Sequence, residues 1–259
     1  MSTKTEGPRI LLYDIETAPA LGWVWDMWNT NVLGIKQDWY ILCYAYKWIG
    51  DNQTWFITDH GKRNDRELVR NLRALFDEAD IVIAHNGDKF DQRKANARFQ
   101  YYNMPPPSPY QTIDTLKEDR RYFNRMSHSL KHLPALAGMK AKKMRGHDFQ
   151  LWLDCMDGDE GAWKYMREYT LADVEALEEL YLKLRPWIGT PGKAAHPNLG
   201  HWANGDVVCA KCGYDKLTKR GFHRTSVSVF QTYQCKRCKG YTRDRKRETQ
   251  RFGKGVKTL

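Results

Sequence analysis

The segment Ile10-Leu-Leu-Tyr-Asp-Ile-Glu-Thr17 is the part of the chain from which the predicted fold is built outward. Its apolar beginning is typical of a strand that is buried on both faces of a sheet, and we predict that strand over residues 9–14. Asp14 and Glu16 follow at its carboxyl end. Because residues two apart in an extended segment point to the same side, both carboxylates are expected to face one cleft, unless the strand merely ends in polar loop residues.

Strands and helices alternate after this segment. Residues 39–48 and 53–58 predict a hairpin, whereas residues 18–38 are rich in tryptophan and irregular. The remaining predicted elements are helices over residues 64–77, 88–102, 115–123, 129–136 and 159–184, and strands over residues 80–85 and 111–114. Asn64 or Asp65 can cap the first of these helices. This order predicts an α/β fold with a mixed sheet flanked by helices, whose first strands are antiparallel and whose later strands are parallel.

Two further segments place acidic residues at the ends or on the faces of predicted elements. Asn86-Gly-Asp-Lys-Phe-Asp91 follows a predicted strand, so Asp91 is expected in the first turn of the next helix. Tyr169 and Asp173 lie four residues apart in the last helix and hence on one face of it. Each segment also has a purely structural interpretation: the first as a helix cap, and the second as the solvent-exposed face of an amphipathic helix. Taken with the pair on the first strand, the carboxylates form the type of ligand set that two divalent cations need for phosphodiester cleavage.

The order and spacing of these motifs resemble the DEDD superfamily of 3′→5′ exonucleases, whose members have an RNase H-like fold. The resemblance covers residues 8–187 and includes the three motifs of the superfamily in order: Asp-x-Glu, Asn-x-x-x-Phe-Asp and Tyr-x-x-x-Asp. One sub-class has histidine five residues before the final aspartate, where this chain has Glu168. The other has tyrosine four residues before it, where this chain has Tyr169, so the chain is similar to the DEDDy group. Residues 14–42 also resemble stand-alone exonuclease-like proteins of phages and bacteria.

This resemblance implies a two-metal mechanism. Two Mg²⁺ or Mn²⁺ ions lie about 3.5–4 Å apart in such a site, one readying the attacking water and one steadying the leaving 3′ oxygen. Asp14 is expected to bridge both ions, and Asp91 to serve the second ion. Glu16 and Asp173 are expected to complete the water-side ion. Tyr169 is expected to orient the attacking water, because a tyrosine with an ordinary pKa near ~10 is a poor base at neutral pH.

Aromatic and basic residues near the motifs are candidate substrate contacts. The tract Gly22-Trp-Val-Trp-Asp-Met-Trp28 favours packing in the core for most of its rings, with one ring stacking on an unpaired terminal base. The basic loop over residues 139–148 is a candidate phosphate contact, with an ordinary solvated loop as the alternative. The candidates in this part of the chain are Trp25, Asn86, Phe90, Lys142 and Lys143.

Two Cys-x-x-Cys pairs lie in the last quarter of the sequence. Cys209, Cys212, Cys235 and Cys238 offer four thiolates in two knuckles, which is the closed tetrahedral ligand set of one structural Zn²⁺ ion. The intervening segment predicts a short β-hairpin, and the whole resembles a zinc ribbon. A redox pair or an iron–sulfur cluster is a less favoured alternative, because no thioredoxin-like βαβ pattern surrounds the cysteines.

The positive charge of the chain is concentrated in the same region. The net charge is +11, and residues 205–259 contain 15 Lys+Arg against 4 Asp+Glu, so the preceding residues are neutral overall. This pattern favours contact with a phosphate backbone, although a solvated basic tail has the same composition. Arg220, Arg224 and Arg237 are the candidate nucleic-acid contacts here. The predicted organisation is an RNase H-like exonuclease domain over residues 1–188, a linker over 189–203, a zinc ribbon over 204–242 and a basic tail over 243–259.

Composition narrows the function classes further. The sequence has neither an apolar run long enough to cross a membrane nor an apolar leader. We therefore expect an intracellular, cytoplasmic protein without membrane partners. Such a protein can also be encoded by a phage and act in the host cytoplasm. The expected activity is removal of nucleotides from 3′ ends, with DNA, single-stranded or frayed, preferred over RNA. The sequence leaves open an RNA-directed exonuclease, an endonuclease, a non-catalytic nucleic-acid-binding adaptor, and association with a polymerase or another replication or repair protein.

Overall fold

The structure, a computed structural model, describes residues 7–141, 148–189, 196–203 and 207–248. The chain separates into two compact units. The larger unit is Arg9–Leu180, and the smaller unit combines Met1–Pro8 with Tyr181–Leu259. None of the helices in the described part of the chain is both long enough and apolar enough to span a membrane.

A five-stranded mixed sheet forms the centre of the larger unit. The strands of this unit are β1 (Ile10–Ala18), β2 (Leu21–Trp23), β3 (Gly34–Gln37), β4 (Tyr40–Trp48), β5 (Trp55–Thr58), β6 (Ile81–Ala84) and β7 (Gln111–Asp114). Five of them lie in the order β5-β4-β1-β6-β7. The pairs β1–β4 and β4–β5 are antiparallel, whereas β1–β6 and β6–β7 are parallel. The predicted mixed sheet, with antiparallel first strands and parallel later ones, is confirmed.

The described part of the chain also contains six α-helices. They are α1 (Arg66–Glu78), α2 (Asp91–Tyr101), α3 (Thr115–Tyr122), α4 (Leu133–Leu136), α5 (Gln150–Met156) and α6 (Glu160–Leu184), whose last turn belongs to the smaller unit. No predicted helix corresponds to α5. Of the helix predicted over residues 129–136 only α4 forms, and it carries Pro134 in its first turn, where the missing backbone N–H costs nothing.

The helices cover both faces of the main sheet. On one face, Leu11 and Tyr13 pack with residues of α1 and α2, among them Phe76. On the other face, Leu42 and Cys43 pack with residues of α5 and α6. Burial of each large apolar side chain contributes roughly 1.5–3 kcal/mol. This double cover explains why the beginning of β1 is apolar without interruption.

A buried ion pair connects α1 to α2. Asp65 is the residue before α1, as predicted, but its side chain does not cap that helix. Its carboxylate instead accepts hydrogen bonds from the backbone N–H of Ile41 at 2.8 Å, the Arg98 Nε at 2.7 Å and the Tyr102 hydroxyl at 2.6 Å. Because a buried charge needs a partner, these bonds fix the position of Arg98.

β2 and β3 pair antiparallel and form an arm, residues 21–37, in a segment whose sequence predicts irregular structure. The side chain of Asp26 accepts hydrogen bonds from the backbone N–H groups of Trp28 and Asn29, each at 2.7 Å, and so fixes the turn at the tip. Trp25 and Trp28 are 79% and 90% exposed. The prediction that most of this tract packs in the core is wrong, because helices already cover both faces of the main sheet.

The described part of the smaller unit contains a three-stranded antiparallel sheet and a 3₁₀ helix, Leu199–Trp202. The strands are β8 (Leu217–Arg224), β9 (Val229–Cys235) and β10 (Tyr241–Arg243), in the order β10-β9-β8, and the predicted hairpin is confirmed in β8 and β9. The backbone N–H of Leu199 donates to the carbonyl of Ala210 at 2.8 Å. Burial lowers the pKa of His196 to about 4, and its neutral Nε2 accepts a hydrogen bond from the Tyr181 hydroxyl at 2.9 Å.

Candidate active site

A pocket of about 410 Å³ opens beside the middle of β1 and the carboxyl end of β6. It lies within the larger unit. The five residues predicted for the active site all line it: Asp14, Glu16, Asp91, Tyr169 and Asp173. The structure therefore brings together side chains from β1, α2 and α6, while the chemical role of each one stays a prediction.

β1 presents two of these side chains to the pocket. Asp14 pairs with Ala45 and Glu16 with Cys43 on β4, and the register shifts directly after Glu16. The indole N–H of Trp152, on α5, donates a hydrogen bond to the Glu16 Oε2 at 3.1 Å. A bulge and an anchoring hydrogen bond both restrict where a strand side chain points, so the Glu16 carboxylate is oriented before any ligand binds.

The turn between β6 and α2 sets the position of Asp91. Asn86 has a left-handed backbone with φ of 68°, which asparagine tolerates better than most residues. A Cβ on Gly87 would lie 2.5 Å from the Cβ of Ala84, so glycine is required there. The chain then enters α2 with Asp91 in the first turn, where it is 2% exposed and accepts a hydrogen bond from the Ile15 N–H at 3.1 Å.

The carboxyl group of Asp91 is poorly solvated. Burial raises its pKa to about 7, the hydrogen bond from Ile15 opposes that rise, and the nearby carboxylate of Asp114 adds to it. Asp114 caps α3, and its Oδ2 is buried without a hydrogen-bond partner among the described residues. A divalent cation beside these groups would favour the charged carboxylates and reverse the shift.

Tyr169 and Asp173 contribute from α6. Both are buried, and the Tyr169 hydroxyl is hydrogen-bonded to the Asp173 carboxylate. Burial raises the pKa of Tyr169 well above its usual value, and the negative charges of Asp173 and Glu16 add to that rise. The phenol therefore keeps its proton at neutral pH, which suits a group that orients water and does not suit a base.

Four polar residues outside the predicted site also line the pocket: His85, Arg120, Ser129 and Lys131. The ring of His85 is held at both nitrogens, by the Thr115 hydroxyl at 2.9 Å and the His128 carbonyl at 3.0 Å. Arg120 and Lys131 place positive charge beside the carboxylates. No motif marks these cations in the sequence, because Arg120 on α3 and Lys131 before α4 belong to none of the three acidic motifs.

The predicted substrate contacts are distributed over several parts of the chain. Asn86 and Phe90 line the pocket, whereas Trp25 lies on the exposed arm. Lys142 and Lys143 lie outside the described residues. The three arginines predicted as contacts belong to the smaller unit, where Arg220 and Arg224 are exposed. The guanidinium of Arg237 lies 5.0 Å from the Tyr214 ring centroid and donates a hydrogen bond to the Cys212 carbonyl.

Comparison with known proteins identifies the family. A family profile described as the RNase H superfamily matches residues 33–185, which is more than half of the chain. The chain belongs to the RNase H superfamily. The match includes Asp91, Tyr169 and Asp173 and begins after β1, so Asp14 and Glu16 lie outside it. Membership of the RNase H superfamily supports nuclease activity and a nucleic-acid substrate in general terms.

A solved structure has a similar fold. The family B DNA polymerase from the hyperthermophilic archaeon Pyrobaculum calidifontis superposes with a TM-score of 0.53 at 17% sequence identity. The superposition covers 70% of this chain and 25% of the polymerase chain, so this RNase H superfamily member spans about a quarter of that protein. No curated protein matches the sequence.

The four cysteines of the smaller unit form a compact cluster. Their Sγ atoms all lie within 4.8 Å of one another, and the pairs Cys209–Cys238 and Cys212–Cys235 are each 3.7 Å apart. Tetrahedral zinc with Zn–S bonds of about 2.3 Å would space the sulfur atoms by about 3.8 Å, whereas a disulfide would bring two of them to about 2.05 Å. The donor set and its spacing therefore fit zinc, and the cysteines are not paired as disulfides.

Each Cys-x-x-Cys pair is followed by a left-handed residue. Gly213 has φ of 67° and Lys239 has φ of 64°, and their backbone N–H groups donate to the carbonyls of Cys209 and Cys235. The backbone N–H of Lys211 donates to the Cys209 Sγ at 3.4 Å. These turns aim two sulfur atoms per pair toward a common centre. Such geometry is that of a zinc knuckle.

The acidic pocket is a different kind of ligand set. Among the residues that the structure describes, the cysteines are the one group of three or more His, Cys, Asp or Glu side chains close enough to share a single ion. The pocket carboxylates are more widely spread. Two cations about 3.5–4 Å apart need ligands arranged around both, and oxygen ligands suit Mg²⁺ and Mn²⁺. RNase H-like nucleases generally use divalent metals, and this donor set fits them.

Proposed function

We propose that the protein is a metal-dependent 3′→5′ exonuclease that hydrolyses phosphodiester bonds at the ends of DNA strands. The observation that supports this most is the meeting of the four carboxylates and one phenol in a single pocket, in the order and spacing of a DEDDy site. Membership of the RNase H superfamily supports the nuclease class. The direction of attack and the preference for DNA rest on the resemblance of the motifs.

The carboxylates would hold two divalent cations, which when bound supply Lewis-acid assistance to the attacking water and to the leaving 3′ oxygen. Asp14 would bridge both positions, with Glu16 and Asp173 on the water side and Asp91 on the other. The hydrogen bond from Trp152 to Glu16 supports this assignment, because it restricts the orientation of that carboxylate.

Tyr169 would position the attacking water through its hydroxyl. Its raised pKa keeps the phenolic proton in place, and its hydrogen bond to Asp173 ties the hydroxyl to the water-side carboxylates. A hydroxyl that is held in place by such a hydrogen bond lowers the cost of arranging the water for in-line attack.

Arg120 and Lys131 would contact phosphate oxygens of the terminal nucleotides. Both side chains line the pocket, and they lie among carboxylates that would otherwise repel a polyanion. A cation at the pocket wall offsets that repulsion and stabilises the charge that develops on the phosphate during cleavage.

The smaller unit would bind one structural zinc ion through Cys209, Cys212, Cys235 and Cys238. Buried Lys211 would offset part of the negative charge of four thiolates. We propose that the exposed Arg220 and Arg224 contact nucleic acid, and that the domain boundaries follow the predicted organisation. The polymerase likeness in fold is compatible with a role beside a polymerase in replication or repair.

The test is a time course on single-stranded DNA and RNA oligomers of one sequence, with either the 3′ or the 5′ end blocked, in the presence and absence of Mg²⁺ or Mn²⁺. We expect metal-dependent, stepwise shortening of DNA whose 3′ end is free. Faster digestion of RNA would move the substrate class to RNA, because only contacts to the 2′-OH distinguish the two.

Two outcomes would overturn the proposal. Internal products from DNA blocked at both ends would indicate an endonuclease. Absence of cleavage of every substrate, together with tight binding of the same oligomers, would indicate an adaptor that has kept the fold without the activity.

A further inference from the structure

Aromatic and cationic side chains run along one face of α2 from the mouth of the pocket. Phe90, which lines the pocket, is 39% exposed. Lys94 follows one helical turn later, with its Nζ 3.7 Å from the centroid of the Trp39 ring and 5.7 Å from that of Phe90. Tyr101, two turns further on the same face, is 64% exposed. These four side chains, Phe90, Lys94, Trp39 and Tyr101, form the α2 strip.

A buried arginine supports the rings of the α2 strip from the protein side. The guanidinium carbon of Arg98 lies 4.3 Å from the Tyr101 ring centroid and 5.6 Å from that of Trp39. Arg98 is itself 6% exposed and is fixed by its hydrogen bonds to Asp65. The rings of Tyr101 and Trp39 therefore pack against an arginine that is itself already immobilised. Binding on these rings costs little additional conformational entropy.

The chemistry of the α2 strip matches that of an unpaired nucleic-acid strand. Such strands are bound by aromatic faces that stack on bases and by cations that meet the backbone phosphates. Asp65 neutralises Arg98, which leaves Lys94 as the cation of the α2 strip that is available to a phosphate. The arm offers more apolar surface, but with one carboxylate, Asp26, and one cation, Lys36, it is neutral overall, whereas Asp38 lies near Lys94 of the α2 strip. Because Phe90 lines the pocket, the α2 strip is continuous with the acidic site, and this continuity favours it over the arm as the nucleic-acid path.

We propose that the α2 strip binds the single strand that leads away from the pocket, with bases on its rings and a phosphate on Lys94. This inference rests on the proposed exonuclease function and adds the path of the substrate to it. From Phe90 to Tyr101 the helix rises about 16 Å. At a spacing of about 3.4 Å or more per nucleotide, this length holds three to five nucleotides. Paired bases have no free faces, so the α2 strip selects single strands.

The first test measures how activity depends on substrate length. For the full-length protein and the variants Lys94→Gln and Tyr101→Ala, kcat/KM is compared between a DNA trinucleotide and a DNA decanucleotide. We expect the wild-type advantage of the decanucleotide to fall about fivefold or more in each variant, because Tyr101→Ala removes a ring on which a base stacks and Lys94→Gln removes the cation that meets a phosphate. Arg93→Gln removes a neighbouring exposed positive charge from α2, and Gln100→Ala truncates the exposed residue beside Tyr101. Both control variants should keep the wild-type ratio.

An unchanged ratio in Lys94→Gln and Tyr101→Ala would overturn the proposal while leaving the nuclease assignment intact.

A second measurement needs no catalysis. Decanucleotides with 5-iodouracil at a single position, from the second to the sixth nucleotide counted from the 3′ end, are bound in EDTA, irradiated and mapped by mass spectrometry. We expect crosslinks to Trp39, Phe90 or Tyr101, moving along α2 as the label moves. Crosslinks confined to other parts of the chain would overturn the proposal, even if the wild type cleaves no substrate.

Discussion

The acidic pocket and the cysteine cluster assemble their candidate metal-ligand side chains in opposite ways. The cysteines come in two local pairs, and a backbone turn after each pair aims the sulfur atoms inward. The pocket residues come from β1, α2 and α6, and two apolar clusters, which pack α2 on one face of the main sheet and α6 on the other, bring them together. The cysteine cluster thus has local order and little core of its own, whereas the elements that carry the pocket pack around large apolar clusters.

The largest expected effect follows from this difference. Replacement Cys212→Ser should abolish zinc binding and unfold the three-stranded sheet of the smaller unit, because the roughly 10–16 kcal/mol of zinc binding in such modules is also their folding free energy. Zinc content and amide hydrogen exchange of the purified protein measure this. Replacement Lys236→Ser, at an exposed position between the second pair of cysteines, is the matched control and should keep both zinc and protection. A variant that loses zinc and keeps wild-type protection in β8 and β9 would contradict the comparison.

The pocket should show the converse behaviour, in which activity is lost and the fold is kept. Asp173→Asn should lower kcat more than about 10³-fold, since losing several kcal/mol of metal-assisted stabilisation corresponds to a factor of ten per 1.36 kcal/mol. Glu175→Gln removes an exposed carboxylate two residues away on the same helix and should leave kcat unchanged. Thermal unfolding of the two variants should coincide with that of the wild type to within a few degrees. Residual activity above a hundredth of wild type in Asp173→Asn would show that the carboxylate is dispensable.

A smaller effect concerns the stability of the metal-free pocket. The raised pKa of Asp91 means that the folded protein binds this proton more tightly than the unfolded chain does. Stability is therefore lost as the pH rises from about 4 to about 7, and the loss is complete above pH 7. Asp91→Asn removes this dependence and should stabilise the protein at pH 8 in EDTA by about 1–3 kcal/mol, with little difference from wild type at pH 4. Urea unfolding at the two pH values measures it, and equal stabilisation at both would refute burial of the Asp91 charge as the cause.

The smallest expected effect is that of the tyrosine. Tyr169→Phe should lower kcat about tenfold with little change in KM, because one orienting hydrogen bond to water is worth about 1–2 kcal/mol. The raised pKa of Tyr169 also means that its proton stays in place through neutral pH. The pH–rate profile of the variant should therefore keep the wild-type shape. A change in the shape between pH 6 and 9 would mean that the phenol itself titrates during catalysis.

Local patterns in the sequence were enough to predict which acidic residues share the pocket and which cysteines form the cluster. Asp14 and Glu16 come directly after an uninterrupted apolar run at the start of β1, and the spacing of the four cysteines is that of two Cys-x-x-Cys pairs. The directions of the strands in the sheet also followed from alternation of the elements. These features depend on residues that are close together in the sequence, so a sequence motif or a hydrophobic pattern can predict them.

The features that the sequence did not predict arise from contacts between residues far apart in the chain. Trp152 lies on an unpredicted helix, and its bond to Glu16 spans 136 residues. Asp65 is a predicted cap of α1 and instead neutralises Arg98, since a buried cation competes more strongly for a carboxylate than backbone N–H groups do. The exposure of Trp25 and Trp28 could not be anticipated either, because tryptophan in sequence is usually a sign of a core.

The arm has a practical consequence for handling and spectroscopy. It displays eight large apolar side chains that are each about half exposed or more: Trp23, Val24, Trp25, Met27, Trp28, Val32, Leu33 and Ile35. Such a surface promotes self-association as concentration rises. Three of the ten tryptophans of the chain lie on this arm, so the emission maximum of the protein should shift to shorter wavelength whenever the arm becomes covered.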